Sequence, residues 1–231
     1  MSHIIEEFLY FLGVKSGKPI IPPHFFSITA ERYITVETAP ESFNSLVYSY
    51  WHNVVSLSKE YDPNIVFIDI THGKEKSEEC FDVSIKGECS YKHLCYIVSK
   101  AQAHLSIDSY TGHIASLFNV PSVTLYSHIP SNVSNPLWHD NNDSHECISG
   151  IKEGIKPCYS KEDPEDLINL IKPEQIACSI LSKINVENDL ESYNTVNIGK
   201  YYKDKILEII PDFDPSEFTQ KKLVNLRCDY N

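Results

Sequence analysis

Positive charge is scarce in this sequence. Lys and Arg number 20 against 32 Asp and Glu, a formal net charge of −12 over 231 residues. That balance excludes the broad basic footprint needed for nucleic acid or an anionic membrane surface. No stretch approaches the ~20 apolar residues of a membrane span. The opening MSHIIEEFLYFLGVKSG is acidic where a secretory signal would be basic, and its apolar residues are periodic rather than continuous. The seven cysteines, at 80, 89, 95, 147, 158, 178 and 228, include no C-x-x-C pair and no companion histidines at zinc-finger spacing. Reduced, mostly buried thiols and no metal site are therefore expected, in a cytoplasmic protein. No G-x-G-x-x-G follows a predicted strand, and GKPIIPP at 17–23 is not a Walker A loop. No nucleophile elbow occurs, and Asp108, Ser109 and His113 lie too close in sequence for a hydrolase triad. Internal repeats and low-complexity stretches are also missing.

What is present is a globular pattern, with 42% hydrophobic residues, enough for one good core and an appended piece. Ile4, Ile5, Phe8, Leu9 and Leu12 follow a helical stripe that predicts a short helix ending near Gly13. The proline-rich KPIIPPHFFSITAER then reads as an extended connector, giving an N-terminal unit over 1–29. From there strands and helices alternate over 30–185. Strands are predicted at 32–38, 64–70, 81–87, 103–107 and 121–127, and helices at 48–62, 90–102, 112–119 and 172–184. Strands that are nearly continuous in apolar residues, separated by amphipathic helices, predict a Rossmann-like parallel sheet covered on both faces. Residues 186–231 read as a β-rich extension with strand-like pieces at 205–210 and 223–227; a linker is the rival reading.

The candidate site lies in SIDSYTGHIASLFNVPSVTLY, residues 106–126. Ligands of open parallel sheets bind beyond the carboxyl ends of strands, where the next helix presents its N-terminus. The first amides of such a helix lack internal acceptors, and its dipole favours an anion. Ser109 and Thr111 add hydroxyls, and Gly112 allows close approach to the backbone. Two readings stay open on the residues alone. One is a helix capped by Asp108, Ser109 or Thr111, with His113 bonded internally. The other is a site for a diphosphate and a sugar.

The same stretch resembles the heptosyltransferases, the ADP-heptose:lipopolysaccharide glycosyltransferases, in the C-terminal half of that family. Asp108 and Ser109 precede His113 by five and four positions, Ala115 follows it by two, and VPSVTLYS at 120–127 falls at the family spacing. GECSYKHLCYIVSKAQAHLSID, YSYWHNVVSLSKEYDPNIVFID with Trp51, and IKPEQIACSIL resemble the flanking segments, so the likeness covers roughly residues 30–185. It implies a GT-B donor-binding domain whose substrate is a nucleotide diphosphate-sugar, with no cofactor required. By this resemblance Ser109, Thr111 and the 109–113 backbone hold the diphosphate, and Asp108 and His113 shape the pocket or meet the donor sugar. Glu75, with Glu78 next, is the candidate for the ribose; a solvated charged loop is the alternative for both. The departures are Tyr110 where the family has glycine, no lysine in SFNSLVYSYW, and no counterpart of the family's first domain, which carries the acceptor site and catalytic base. No catalytic residue is assigned. Three functions follow: half of a glycosyltransferase completed by a second Rossmann-like domain or subunit, a silent nucleotide or nucleotide-sugar binder, or an interaction module retaining the fold.

Overall fold

A computed structural model of the chain describes residues 3–15, 17–38, 46–72, 79–85, 87–140, 142–151 and 167–190. The elements run α1 (Ile4–Phe11), β1 (Tyr33–Glu37), α2 (Trp51–Tyr61), β2 (Val66–Asp69), β3 (Val83–Ser84) and α3 (Tyr91–Lys100). They continue as β4 (Ala103–Ile107), α4 (Tyr110–Leu117), β5 (Ser122–Tyr126), α5 (Ser131–Ser134), β6 (His145–Ser149) and α6 (Pro173–Lys183). The strands form one parallel six-stranded sheet in the order β3-β2-β1-β4-β5-β6. The predicted α/β class and Rossmann-like layering are what the chain adopts. Strand order reverses between β1 and β4, where Val36 stands opposite Leu105 and Glu37 opposite Ser106.

Every residue of β1, β4 and β5 is buried, as expected for strands covered on both faces. The two faces differ in chemistry. Ile34, Val36, Leu105, Val123 and Leu125 share a core with Trp51, Val54 and Val55 of α2 and Ile176, Ala177, Ile180 and Leu181 of α6. Tyr33, Ile68 and Ile70 pack with Leu94, Ile97 and Val98 of α3 and Ile114 and Ala115 of α4. By strand alternation, Thr35, Glu37, His104, Ser106, Ser122 and Thr124 belong to this second face, and all are buried. A polar layer therefore lies under α4 where the sequence reading expected apolar strands. Its groups pair with one another: His104 with Thr35 and Thr111, Ser106 with Thr124, and Ser122 with His145.

Pro173 occupies the first turn of α6, as its fixed φ favours. Helix α4 begins two residues earlier than the sequence predicts, because Ser109 is its cap: φ −156°, ψ 172°, with Oγ accepting from the Thr111 amide at 3.3 Å. Strand β6 and the short α5 were missed. HECIS has no apolar run and buries only Ile148; pairing with β5, Ser122 opposite His145, is what makes it a strand. Of the described thiols only Cys95 is buried. Cys80, Cys89, Cys147 and Cys178 are half-buried, which corrects the expectation of mostly buried cysteines. Among the described residues no helix is long and apolar enough to cross a membrane. The strand-like pieces at 205–210 and 223–227 lie outside the described residues.

Candidate functional site

The topology brings the carboxyl ends of β1 and β4 together at the reversal point, the place where open α/β sheets form a ligand crevice. From β1 comes Glu37, only 2% exposed. From β4 come Asp108 and Ser109, followed at once by the first turn of α4. The hydroxyls of Ser109 and Thr111 both donate to Glu37 Oε2. Thr111 Oγ1 also lies 3.0 Å from His104 Nε2, and His104 Nδ1 lies 2.9 Å from Thr35 Oγ1. The start of α4 thus faces a carboxylate supplied by the protein itself. Burial pushes the Glu37 pKa up, with the Ser109 and Thr111 hydrogen bonds opposing that rise. The charged or titratable groups coupled to it, among the described residues, are Asp69, His72 and Tyr110, and no lysine or arginine. His104 is fully buried, which holds its pKa down to about 3 and its ring neutral.

The predicted site residues divide into two groups. Ser109 and Thr111 belong to the Glu37 cluster. Asp108 and His113 belong to a second wall built by α5 and the N-terminal segment. Asp108 Oδ2 accepts from Ser134 Oγ at 2.8 Å, and burial raises the Asp108 pKa. The His113 ring stands edge-on between His3 (centroids 6.3 Å apart) and Trp138 (6.0 Å). Burial and His3 hold the His113 pKa down to about 4, and its Nδ1 is buried without a hydrogen-bond partner among the described residues. His3 is itself fixed: Nδ1 accepts from the Ile5 amide at 3.2 Å and Nε2 lies 2.7 Å from the Asn135 carbonyl.

Gly112 is turned toward the sheet, where an added Cβ would come within 3.3 Å of Pro136 Cγ and 3.4 Å of Thr124 Oγ1. Its missing side chain serves close packing of helix on sheet. Tyr110 is 41% exposed, with its ring 6.1 Å from that of Tyr91. Glu75 and Glu78 lie outside the described residues. Sequence reasoning missed Glu37, His104, Ser134, Trp138 and His3. For Glu37 a signal existed, a lone carboxylate closing the apolar run YITV. Which strand its end would face was not readable.

A parallel sheet in this order, with its reversal crevice walled by β1, β4 and α4, defines a Rossmann-like domain. The family model described as glycosyltransferase family 9 (heptosyltransferase) matches residues 54–169, half of the chain. The chain belongs to that family, and the role the family points to is glycosyl transfer. Among solved structures, E. coli ADP-heptose lipopolysaccharide heptosyltransferase II is similar at 16% identity and TM-score 0.50, over 68% of this chain and 48% of that one. The family 9 glycosyl transferase of Veillonella parvula is similar at 12% identity and TM-score 0.50, over 78% and 50%. The iron-containing dodecameric glycosyltransferase TibC of enterotoxigenic E. coli is similar at 14% and 0.57, over 76% and 53%. At these identities the likeness is one of fold, and the chain spans about half the length of these structures. No curated protein sequence matches the chain.

Proposed function

We propose that this chain is the donor-side domain of a glycosyl-transfer system and works there as a binding or interaction module rather than as a self-sufficient transferase. The observation that carries this reading is Glu37. Its carboxylate takes the hydroxyls of Ser109 and Thr111, the groups that the family resemblance assigns to the donor's diphosphate. A diphosphate brought to the start of α4 would meet a buried carboxyl group whose oxygen already engages the Ser109 and Thr111 hydroxyls, instead of free hydroxyl donors. Transfer also requires a base placed for the acceptor and stabilisation of the leaving group. The described crevice offers acidic and neutral groups for that work.

The reading is tested by calorimetric titration of the full chain with ADP, UDP and GDP up to millimolar concentration. No heat of binding is expected from any of them. Saturable binding that is lost in Asp108→Ala and Ser109→Ala would overturn it.

That second outcome belongs to the other reading, a nucleotide diphosphate-sugar-binding half completed by a second Rossmann-like domain or subunit. Two observations favour it: the chain covers about half of its structural relatives, and α1 buries none of its residues. Phe8, Tyr10 and Phe11 of α1 are all exposed, an apolar surface of the kind that marks protein contact. On this reading the chain alone binds a nucleoside diphosphate, and adding its completing domain tightens that binding.

A further inference from the structure

We propose that residues 135–140 are an acid-releasable strap: protonation of the stacked His139 and His145 rings frees this segment from the sheet edge and withdraws Trp138 from His113, opening the second wall of the crevice. The device goes beyond the reading above and holds whichever ligand the crevice takes.

The first argument is how the strap is fastened. From α5 it runs along α4. Pro136 lies over Gly112, the Trp138 amide donates to Ser116 Oγ at 2.6 Å, and the Asp140 amide donates to Asn119 Oδ1 at 3.1 Å. The Trp138 ring stands edge-on to His113, and His3 Nε2 meets the Asn135 carbonyl. Among the described residues no backbone-to-backbone hydrogen bond reaches 136–140. Side chains fasten this segment, so it can lift while the sheet and α4 keep their own hydrogen bonds.

The second argument is the clasp at its end. His139 lies face to face with His145, the first residue of β6 at the sheet edge, with centroids 4.9 Å and planes 17° apart. Ser122 Oγ serves both rings, 2.8 Å from His145 Nδ1 and 3.4 Å from His139 Nε2. The other two ring nitrogens meet Ser144 Oγ at 3.3 Å and Cys147 Sγ at 3.2 Å. All these partners are uncharged, since burial pushes the Cys147 thiol up to about 11.

The charges around the clasp disfavour a proton. Lys18 of the connector and Lys183 of α6 both oppose an imidazolium at His139. Lys183, His104 of β4 and His113 of α4 oppose one at His145. Among the described residues only Asp140 favours a charged His139, and its oxygens already take Lys18 and Asn119. Glu146 of β6 accepts from Ser179 and lies 3.8 Å from Lys183, whose ammonium also donates to the Asp143 carbonyl. At the other end of the strap, His3 opposes a charge on His113 and itself faces Asp108. Facing imidazolium rings in this setting repel each other and both lysines, and release puts them in water. The neutral rings therefore hold the strap fully above 6.5, and that hold is lost as pH falls toward about 4 at His139 and about 3 at His145.

The test is fluorine NMR of the full chain labelled with fluorotryptophan, read from about pH 7.5 to about pH 4. The chain has two tryptophans, Trp51 in the core and Trp138 on the strap, and Trp138→Phe assigns their signals. The Trp138 signal is expected to move to a solvent-exposed position while the Trp51 signal keeps its native one. His139→Phe, which keeps a flat ring and takes no proton, should lower the Trp138 midpoint by about one pH unit. Ser144→Asp, which sets a carboxylate beside His139 Nδ1, should lower it too, and Ser144→Asn should not. A lowered midpoint in either of the first two variants supports the strap. It is overturned if both signals move together, if Trp138 keeps its position until the chain unfolds, if both variants leave the midpoint unchanged, or if Ser144→Asn shifts it as far as Ser144→Asp.

Discussion

Glu37 and His104 sit 3.0 Å or less from the same Thr111 hydroxyl, yet they respond to pH with opposite sign. Burial raises the Glu37 and Asp108 carboxyls above their ordinary values of 4.5 and 3.8. A raised acid holds its proton longer in the folded chain. Its contribution is complete below the ordinary value and is lost as pH climbs through the folded one. In Glu37→Gln that loss is gone. Urea unfolding should therefore show the variant gaining on wild type as pH rises above the ordinary carboxyl value of 4.5; parallel profiles would contradict the raised pKa. The buried His104 and the half-buried His113, His139 and His145 behave the other way. His104 and His145 are held down to about 3, and His113 and His139 to about 4, from 6.5. Their contribution is present above 6.5 and is lost as pH falls toward those values. His104→Gln should cost about 1–3 kcal/mol near neutrality, from lost buried hydrogen bonds, and should flatten the acid limb of the stability profile. At this scale the sequence showed the members but not the partners. Asp108, Ser109, Thr111 and His113 were legible from spacing alone. Nothing in the local sequence indicates that Glu37, 72 residues before Ser109, takes its proton.

Elements were easier to read, because their signals are local. The stripe of Trp51, Val54 and Val55 in α2 and that of Ile176, Ala177, Ile180 and Leu181 in α6 predicted helices that do share one core. Trp51 is 1% exposed and edge-on to Tyr48 at 5.2 Å. Trp51→Ala should lower stability by about 3–5 kcal/mol in denaturant titration, through lost burial and an unfilled cavity. Elements defined by their neighbours were not readable, as β6 shows. Just after β6, Gly150 donates its amide to the Tyr126 carbonyl, and an added Cβ would lie 1.8 Å from the Leu167 carbonyl oxygen. That atom is backbone and cannot rotate away. Gly150→Ala should therefore cost at least about 1–3 kcal/mol, seen as a lower melting temperature.

Across the whole molecule, the apolar residues divide between two packed cores and one uncovered helix. α1 meets the domain through its cap, His3, and through α5, with Ile5 and Leu9 half-buried, while Phe8 and Phe11 point their rings into solvent at 65% and 83% exposure. Because those rings contribute nothing to either core, a Phe8→Ser, Phe11→Ser double variant should unfold within about 0.5 kcal/mol of wild type per substitution. A larger loss in a urea titration would mean that α1 packs on the chain itself. An excess of acidic residues keeps the remaining surface unattractive to polyanions, consistent in sign with the Glu37 crevice.

The α/β class, the helix–strand alternation and the position of the α4 turn were determined by the sequence alone, since apolar periodicity, proline and capping residues act over a few neighbours. Strand order, the polar layer under α4 and the division of the candidate residues between two walls were decided only by the tertiary structure. The physical reason is that each is a contact between residues distant in the chain. Glu37 meets Ser109, and His3 meets His113, only after the sheet has reversed its order between β1 and β4 and closed around α4. A hydroxyl becomes a donor or an acceptor toward a ligand according to which group already holds its proton, and that group came from another strand.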